Sequence, residues 1–271
     1  MPNEVEYRRW NDEQQVAGWP KRERFTDRIT PHVVAALGLR PGEQILDVGS
    51  GGGKLSLAVA EAVGPGGKVV GADISAGMVQ LATGRAREAK AKNVSFGQHD
   101  VQGAKIRGGP FDAMTSQFGV MFFEDPVAAF SNIRRHLKPG GRIAFACWQG
   151  AAKNLWFPGR VLAPFMPVPP TPPPGRAQSG PFAFGEPRYV RSVLSGAGFS
   201  DIVRTPKKLI VVAPSDAIAD DSQLIAVPGA KRAEARAAMM AHFDHFRRLD
   251  GLGRFELNVH IFTARKPLLD R

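Results

Sequence analysis

The chain has 271 residues, 43% hydrophobic and 23% charged, with 17 Phe and 4 Trp, so it can build a packed interior and wholesale disorder is excluded. Lys+Arg 36 against Asp+Glu 25 leaves a formal charge of +11, a balance that permits anionic partners without requiring them. A single cysteine, Cys147, rules out an internal disulfide framework and a multi-cysteine zinc site and suits a reducing compartment.

The opening stretch MPNEVEYRRWNDEQQ is polar and lacks the apolar core of a signal peptide. No apolar run approaches the ~20 residues of a membrane span. The expectation is a soluble, cytoplasmic protein.

From residue 44 the pattern alternates short β-branched runs with helical stretches. QILDV (44–48) reads as a strand, 53–63 as a helix with a stripe at Leu55, Val59 and Val63, and KVVGADI (68–74) as the next strand after the Gly-Pro-Gly-Gly breaker at 64–67. A helix from Ser75, a suitable N-cap, is expected to end near Lys92, before a strand at 94–100. A fourth strand (111–119), a helix (126–137) and a fifth strand (141–148) complete the series. This rhythm predicts an α/β fold with a parallel sheet and right-handed crossovers.

After Trp148 the composition changes. Residues 158–187 hold ten prolines, including PPTPPP, which suits an extended polyproline-like segment serving as a connector or as a flap over the active edge of the sheet. A helix is expected at 186–197, a strand broken near Pro206 at 201–213, an Ala- and charge-rich helical stretch at about 216–250, and a last strand at 256–264.

The most informative residues are Asp47-Val48-Gly49-Ser50-Gly51-Gly52-Gly53, between the first strand and first helix. Glycines at alternate positions let the backbone turn and approach a ligand, while the helix N-terminus offers free N–H groups. A dinucleotide fingerprint is spaced G-x-G-x-x-G, but here the run is G-x-G-x-G and Lys54 takes the place of the last glycine. Asp47 would repel a pyrophosphate and suits a ligand carrying positive charge, so the motif fits a sulfonium cofactor better than a nicotinamide one. Asp73 closes the second strand, where a carboxylate can accept from a ribose diol, and Asp100, with Val101 beside it, closes the third, placed for a purine amine. Singly, each is more often a turn residue; together at three successive strand ends they point to one ligand.

ILDVGSGGG, VVGADIS, HDVQ, FDAMTSQFGVMFFEDP and LKPGGRIAFACW make residues 40–148 resemble the class I S-adenosylmethionine-dependent methyltransferases. Within these, the similarity is to the subgroup of quinone and bacterial natural-product methyltransferases, the UbiE-like enzymes. The resemblance implies a Rossmann-like sheet of seven strands in the order 3-2-1-4-5-7-6 with strand seven antiparallel and helices on both faces. It further implies that Asp47, Gly49, Ser50, Gly51 and Gly53 hold the methionine part of S-adenosylmethionine and Asp73 its ribose. Ile74 and Met78 would surround the adenine, Asp100 and Val101 would meet its amine and ring, and Gln117 and Phe118 would line the end of strand four. Trp19, in a region where similar proteins place a Trp, joins this set. Ser50 stands where many relatives carry Cys. The resulting division is a lid of N-terminal helices (1–30), a cofactor core (31–150), a proline-rich connector or flap (151–187), and a C-terminal part (188–271) whose helical insertion at about 214–252 caps the acceptor pocket.

Acceptor contacts are expected from the carboxyl ends of strands four and five and their cover: Phe118, Met121, Phe122 and Trp148, with Tyr7, Trp10 and Trp19 from the lid. Ordinary core packing is the competing role for each aromatic. The six histidines are scattered and His242/His245 lack a Cys or carboxylate partner, so no metal is expected. No general base is evident, and the transfer requires one only where the acceptor must first lose a proton.

The leading expectation is methyl transfer to an O, N or C atom of a small aromatic or apolar acceptor such as a quinone, phenol or natural product, with S-adenosylhomocysteine as product. A nucleic-acid methyltransferase is the alternative suggested by the charge, but the chain lacks an Asn-Pro-Pro-aromatic loop after strand four, and Cys147 follows Ala146 where cytosine-C5 enzymes have Pro-Cys. A cofactor-binding regulator without turnover is the other alternative. The basic surface would also permit weak contact with an anionic membrane. The oligomeric state is not readable from the sequence.

Overall fold

The structure, a computed structural model, describes residues 3–167, 179–214, 219 and 221–269. Seven strands form one sheet in the order β3-β2-β1-β4-β5-β7-β6. They are β1 (Gln44–Val48), β2 (Lys68–Asp73), β3 (Val94–Gln98), β4 (Phe111–Gln117), β5 (Leu137–Trp148), β6 (Ser200–Pro214) and β7 (Leu252–Arg265). The first five pair in parallel; β7 runs antiparallel to both β5 and β6, as expected. Ile45, Leu46 and Val48 of the central strand are all buried, because helices cover both faces of a parallel sheet.

The helices are α1 (Glu4–Trp10), α2 (Glu13–Thr26), α3 (Thr30–Leu37), α4 (Lys54–Val63), α5 (Ala76–Glu88), α6 (Pro126–His136), α7 (Gly159–Leu162), α8 (Pro187–Gly196) and α9 (Arg232–Asp244). Several starts are legible chemically. Ser75 caps α5 by accepting from the Met78 N–H, Asp125 caps α6 ahead of Pro126, and Glu186 caps α8 ahead of Pro187. The caps of α5 and α6 fix how the chain turns back after β2 and β4, at the edge on which the site is built.

Four expectations need correction. The helix after β2 stops at Glu88, and Lys90 takes a left-handed backbone conformation before β3. Strand five starts at Leu137, four residues early, through a register shift against β4 between Phe111 and Ala113. Pro206 does not break β6: the strand pairs only with β7, so the missing N–H is needed by no second neighbour. The stretch expected to be helical at about 216–250 holds one α-helix, α9, preceded by 3-10 turns at Asp221–Leu224 and Gly229–Lys231, with Pro228 between them. β7 therefore begins at Leu252, and β6 and β7 form a long antiparallel ribbon. The proline-rich segment also contains the short α7 and a 3-10 turn at Ala163–Phe165, while PPTPPP lies outside the described residues.

Candidate active site

A cavity of about 260 Å³ opens at the carboxyl ends of β1, β2 and β4. Its wall holds Gly49, Gly51, Asp73, Ile74, Met78, Asp100 and Val101, with Trp19 over the glycine turn, and continues through Trp10, Gln117, Phe118, Met121, Phe122 and Trp148. Fourteen of the residues singled out in the sequence thus share one surface. Four do not reach it: Asp47, Ser50 and Gly53 lie behind the glycine turn, and Tyr7 sits in α1 off the wall.

The turn after β1 is held by backbone contacts. Gly49 N–H and Ser50 N–H both donate to Ala72 O, and Gly51 N–H donates to a carboxylate oxygen of Asp73 at 2.8 Å. The other Asp73 oxygen accepts from Ser75 N–H at 2.9 Å. Gly49 and Gly51 both have positive φ, and a Cβ on Gly49 would stand 2.7 Å from the Cα of Gly119, so the turns after β1 and β4 meet backbone to backbone. Gly53 has a different task, because a Cβ there would stand 2.9 Å from both Ala82 and Phe96. It lets α4 pack against α5 and β3.

Asp47 is 1% exposed and one of its oxygens accepts from Ser56 Oγ at 2.5 Å. Burial pushes its carboxyl up to about 7, against the lowering effect of that hydroxyl and assisted by the charge of Asp73. Burial likewise raises Asp73, opposed by N–H donors from Ser75, Gly51 and Ile74. Asp47 Oδ1, Ser50 Oγ and Asp100 Oδ2 are buried without hydrogen-bond partners. Unsatisfied buried acceptors are costly and rare in native proteins. Of the three, Asp100 Oδ2 belongs to the cavity wall and can accept from an N–H of a ligand, while Asp47 and Ser50 stand behind the wall.

At the aromatic end, Phe118 stacks on Trp148 with ring centroids 4.1 Å apart and planes 10° from parallel. Trp156 meets Trp148 edge-on at 5.1 Å and Phe25 at 5.0 Å. Phe118 adopts φ +66, a region sparsely populated by bulky residues, and its N–H donates to Ala146 O at 3.0 Å. Gln117 is committed to the lid, accepting from Thr30 Oγ1 at 3.0 Å and donating to Thr26 O. Met121 accepts from Trp148 N–H.

The N-terminal helices cover the cavity. Trp19 lies across the glycine turn, close enough that a Cβ on Gly51 would stand 2.5 Å from its ring. Its Nε1 donates to Glu23, which pairs with Arg85 at 2.6 Å, and Arg85 donates in turn to Gly52 O. Trp10 packs edge-on against Trp19 and Phe122. Asn11 ties α1 to the end of β2 through Ile74 O and Ala76 N–H.

Several wall residues escape a sequence reading: Phe25 on α2, Trp156 and Phe157 after β5, Pro181, and Ser222 with Gln223 in the insertion. A signal existed for Trp156 and Phe157, which open the proline-rich segment beside Trp148 in sequence. For Ser222 and Gln223 there was none, since their place depends on how the insertion folds back onto α2. Among the described residues no group of three or more His, Cys, Asp or Glu is placed to hold a metal ion, and no helix is long and apolar enough to cross a membrane.

A methyltransferase-domain family model matches residues 39–155. Nocamycin O-methyltransferase of Saccharothrix syringae is 32% identical over 211 residues, covering 72% of this chain and 70% of the relative. The chain belongs to the class I S-adenosylmethionine-dependent methyltransferases. Within this methyltransferase family it is also 39% identical over 113 residues to the ubiquinone/menaquinone biosynthesis C-methyltransferase UbiE of Cellvibrio japonicus, spanning 41% of this chain and 45% of that protein. The chain thus covers under half the length of that quinone relative. The fold is shared with Haemonchus contortus phosphoethanolamine N-methyltransferase 2, solved with S-adenosyl-L-methionine, at a TM-score of 0.63 and 17% identity over 96% of this chain and 60% of that one. The chain is accordingly a methyltransferase that uses S-adenosylmethionine.

Proposed function

We propose that this methyltransferase transfers the methyl group to a small aromatic or apolar acceptor of the phenol, quinol or natural-product class, held in the aromatic end of the cavity. The observation that carries this reading is that one cavity joins the glycine turn, Asp73 and Asp100 to a chamber walled by Phe25, Phe118, Trp148, Trp156 and Phe157. The reading is supported by two relatives, a nocamycin O-methyltransferase and a ubiquinone/menaquinone biosynthesis C-methyltransferase.

In this reading Gly49 and Gly51 present backbone to the methionine part of the cofactor, with the Asp47 charge and Ser50 behind them and Gly53 shaping the turn. Asp73 accepts from the ribose. Ile74, Met78 and Val101 enclose the adenine, and the unpartnered Asp100 oxygen accepts from its amine. When bound, S-adenosylmethionine supplies a methyl group on a sulfonium, a leaving group that needs no acid assistance. The chain's contribution is alignment and exclusion of water. The stacked pair Phe118 and Trp148 offers an outer ring face to the acceptor, and Trp10 and Trp19 from the N-terminal helices, with Phe122 from the turn after β4, close the chamber. Burial lowers His99, beside Asp100 on the wall, from its ordinary value, which favours its neutral form.

The test is turnover of a panel of phenols, quinols and amines, followed by release of S-adenosylhomocysteine. Product is expected with the flat phenols or quinols. Tight cofactor binding without product from any member would indicate a binding protein instead.

A further inference from the structure

We propose that Gln223 is a specificity-determining residue that accepts a hydrogen bond from a hydroxyl group on the acceptor, a group distinct from the one methylated where oxygen is the target. The inference rests on the reading of the aromatic chamber as the acceptor site.

Among the described residues, two buried side-chain oxygens of the cavity wall have no hydrogen-bond partner: Asp100 Oδ2 and Gln223 Oε1. Asp100 stands at the end assigned to the cofactor. Gln223 comes from the insertion between β6 and β7, on the turn Asp221–Leu224 that packs against α2. Other polar groups of the cavity wall are already engaged. Gln117 is bonded to Thr30 and Thr26, Glu23 to Trp19 and Arg85, and Glu6 to Trp10 and Ser179. An acceptor that the chain leaves unpaired inside an otherwise satisfied, aromatic-walled chamber is placed for a donor that arrives with the ligand.

The backbone that leads into Gln223 is anchored to α2, so the side chain starts from a fixed place on the cavity wall. Gln15 Nε2 donates to Ser222 O at 3.1 Å, and Lys21 Nζ donates to Ala219 O at 2.8 Å. Arg22 bonds Ser222 Oγ and also donates to Gln15 O. Ser222 and Leu224, on either side of Gln223, are buried. None of these ties uses the Gln223 side chain, so substituting it leaves the anchoring intact. A buried acceptor of this kind rejects a ligand lacking the matching donor far more strongly than an apolar wall discriminates by shape.

The experiment titrates the full chain, saturated with S-adenosylhomocysteine, with dihydroxynaphthalene isomers and with the two naphthols, for the wild type, Gln223→Leu and Gln223→Glu. The wild type is expected to bind at least one dihydroxy isomer about tenfold more tightly than either naphthol, the ratio set by one hydrogen bond. Gln223→Leu should bring the ratio to about one at unchanged affinity for S-adenosylhomocysteine, and Gln223→Glu, which keeps the acceptor, should preserve it. A ratio that survives in Gln223→Leu, or a wild type with no preference, overturns the role of Gln223. A wild type that binds S-adenosylhomocysteine but none of the naphthalenes overturns instead the aromatic-acceptor reading beneath it.

Discussion

At the scale of single residues, the site is defined by carboxylates that the fold buries at a cost. Asp47 has an ordinary value of 3.8 and is pushed up to about 7 in the folded chain. Between those values the folded state holds a proton that the unfolded state has released. Stability present below the ordinary value is therefore lost as pH rises through about 7. The expected outcome is a melting temperature of the ligand-free protein that falls from about pH 5 to about pH 8, with the fall reduced in Asp47→Asn, which keeps a partner for Ser56 and cannot ionise. Melting curves across that range in both proteins check this; parallel slopes would count against it. A cationic ligand should draw the proton off Asp47, which calorimetry near neutral pH in buffers of different ionisation enthalpy would register as proton release. Asp100 carries a different prediction. Its Oδ1 accepts from Gln102 N–H while Oδ2 is unpartnered, so Asp100→Asn, which keeps the first bond and puts a donor in place of the free acceptor, should weaken S-adenosylhomocysteine binding by about tenfold, the worth of one buried hydrogen bond, with little change in melting temperature.

At the scale of elements, the decisive contact is between two turns. Gly119 has an ordinary helical backbone conformation, so alanine is acceptable there on dihedral grounds. Its Cβ would nevertheless stand 2.7 Å from Val48 O and 2.8 Å from Gly49 Cα. Gly119→Ala must push the β4 turn from the β1 turn, with an expected loss of roughly 1–3 kcal/mol in stability, as for other overpacked sites, and a larger proportional loss of cofactor affinity. Chemical denaturation together with ligand titration separates the two effects. The contact also shows what was legible. The β1 turn, the two carboxylates at the strand ends that follow it and the alternation of strands with helices could be read because each rests on local chemistry: glycine spacing, strand-end position and periodicity. The Gly49–Gly119 approach could not, since it depends on the β1–β4 pairing that places the two turns side by side. The edge position of β6 likewise overrode a local signal, allowing Pro206 within a continuous strand where local rules suggested a break.

At the scale of the whole molecule, the excess of +11 first suggested polyanions. The cavity wall instead carries Glu6, Glu23, Asp73 and Asp100 against Arg9 and Arg22, so the net positive charge is not reproduced in the site. The chamber draws on parts of the chain far apart in sequence: Trp10, Trp19 and Phe25 from the first helices, Phe118 and Trp148 from strand ends, Trp156 and Phe157 from the start of the proline-rich segment, and Gln223 from the insertion. Only the strand-end members belong to the common core, and acceptor identity is therefore expected to reside in the covering segments, which no local pattern specifies. The central claim is that the β1, β2 and β3 ends form one cofactor site opening onto that chamber. Calorimetric titration of S-adenosylhomocysteine into the wild type and Asp73→Ala tests it most directly. The account predicts one equivalent bound by the wild type and an affinity lowered about tenfold or more in Asp73→Ala; absence of binding to the wild type, or equal affinity in both proteins, would contradict it.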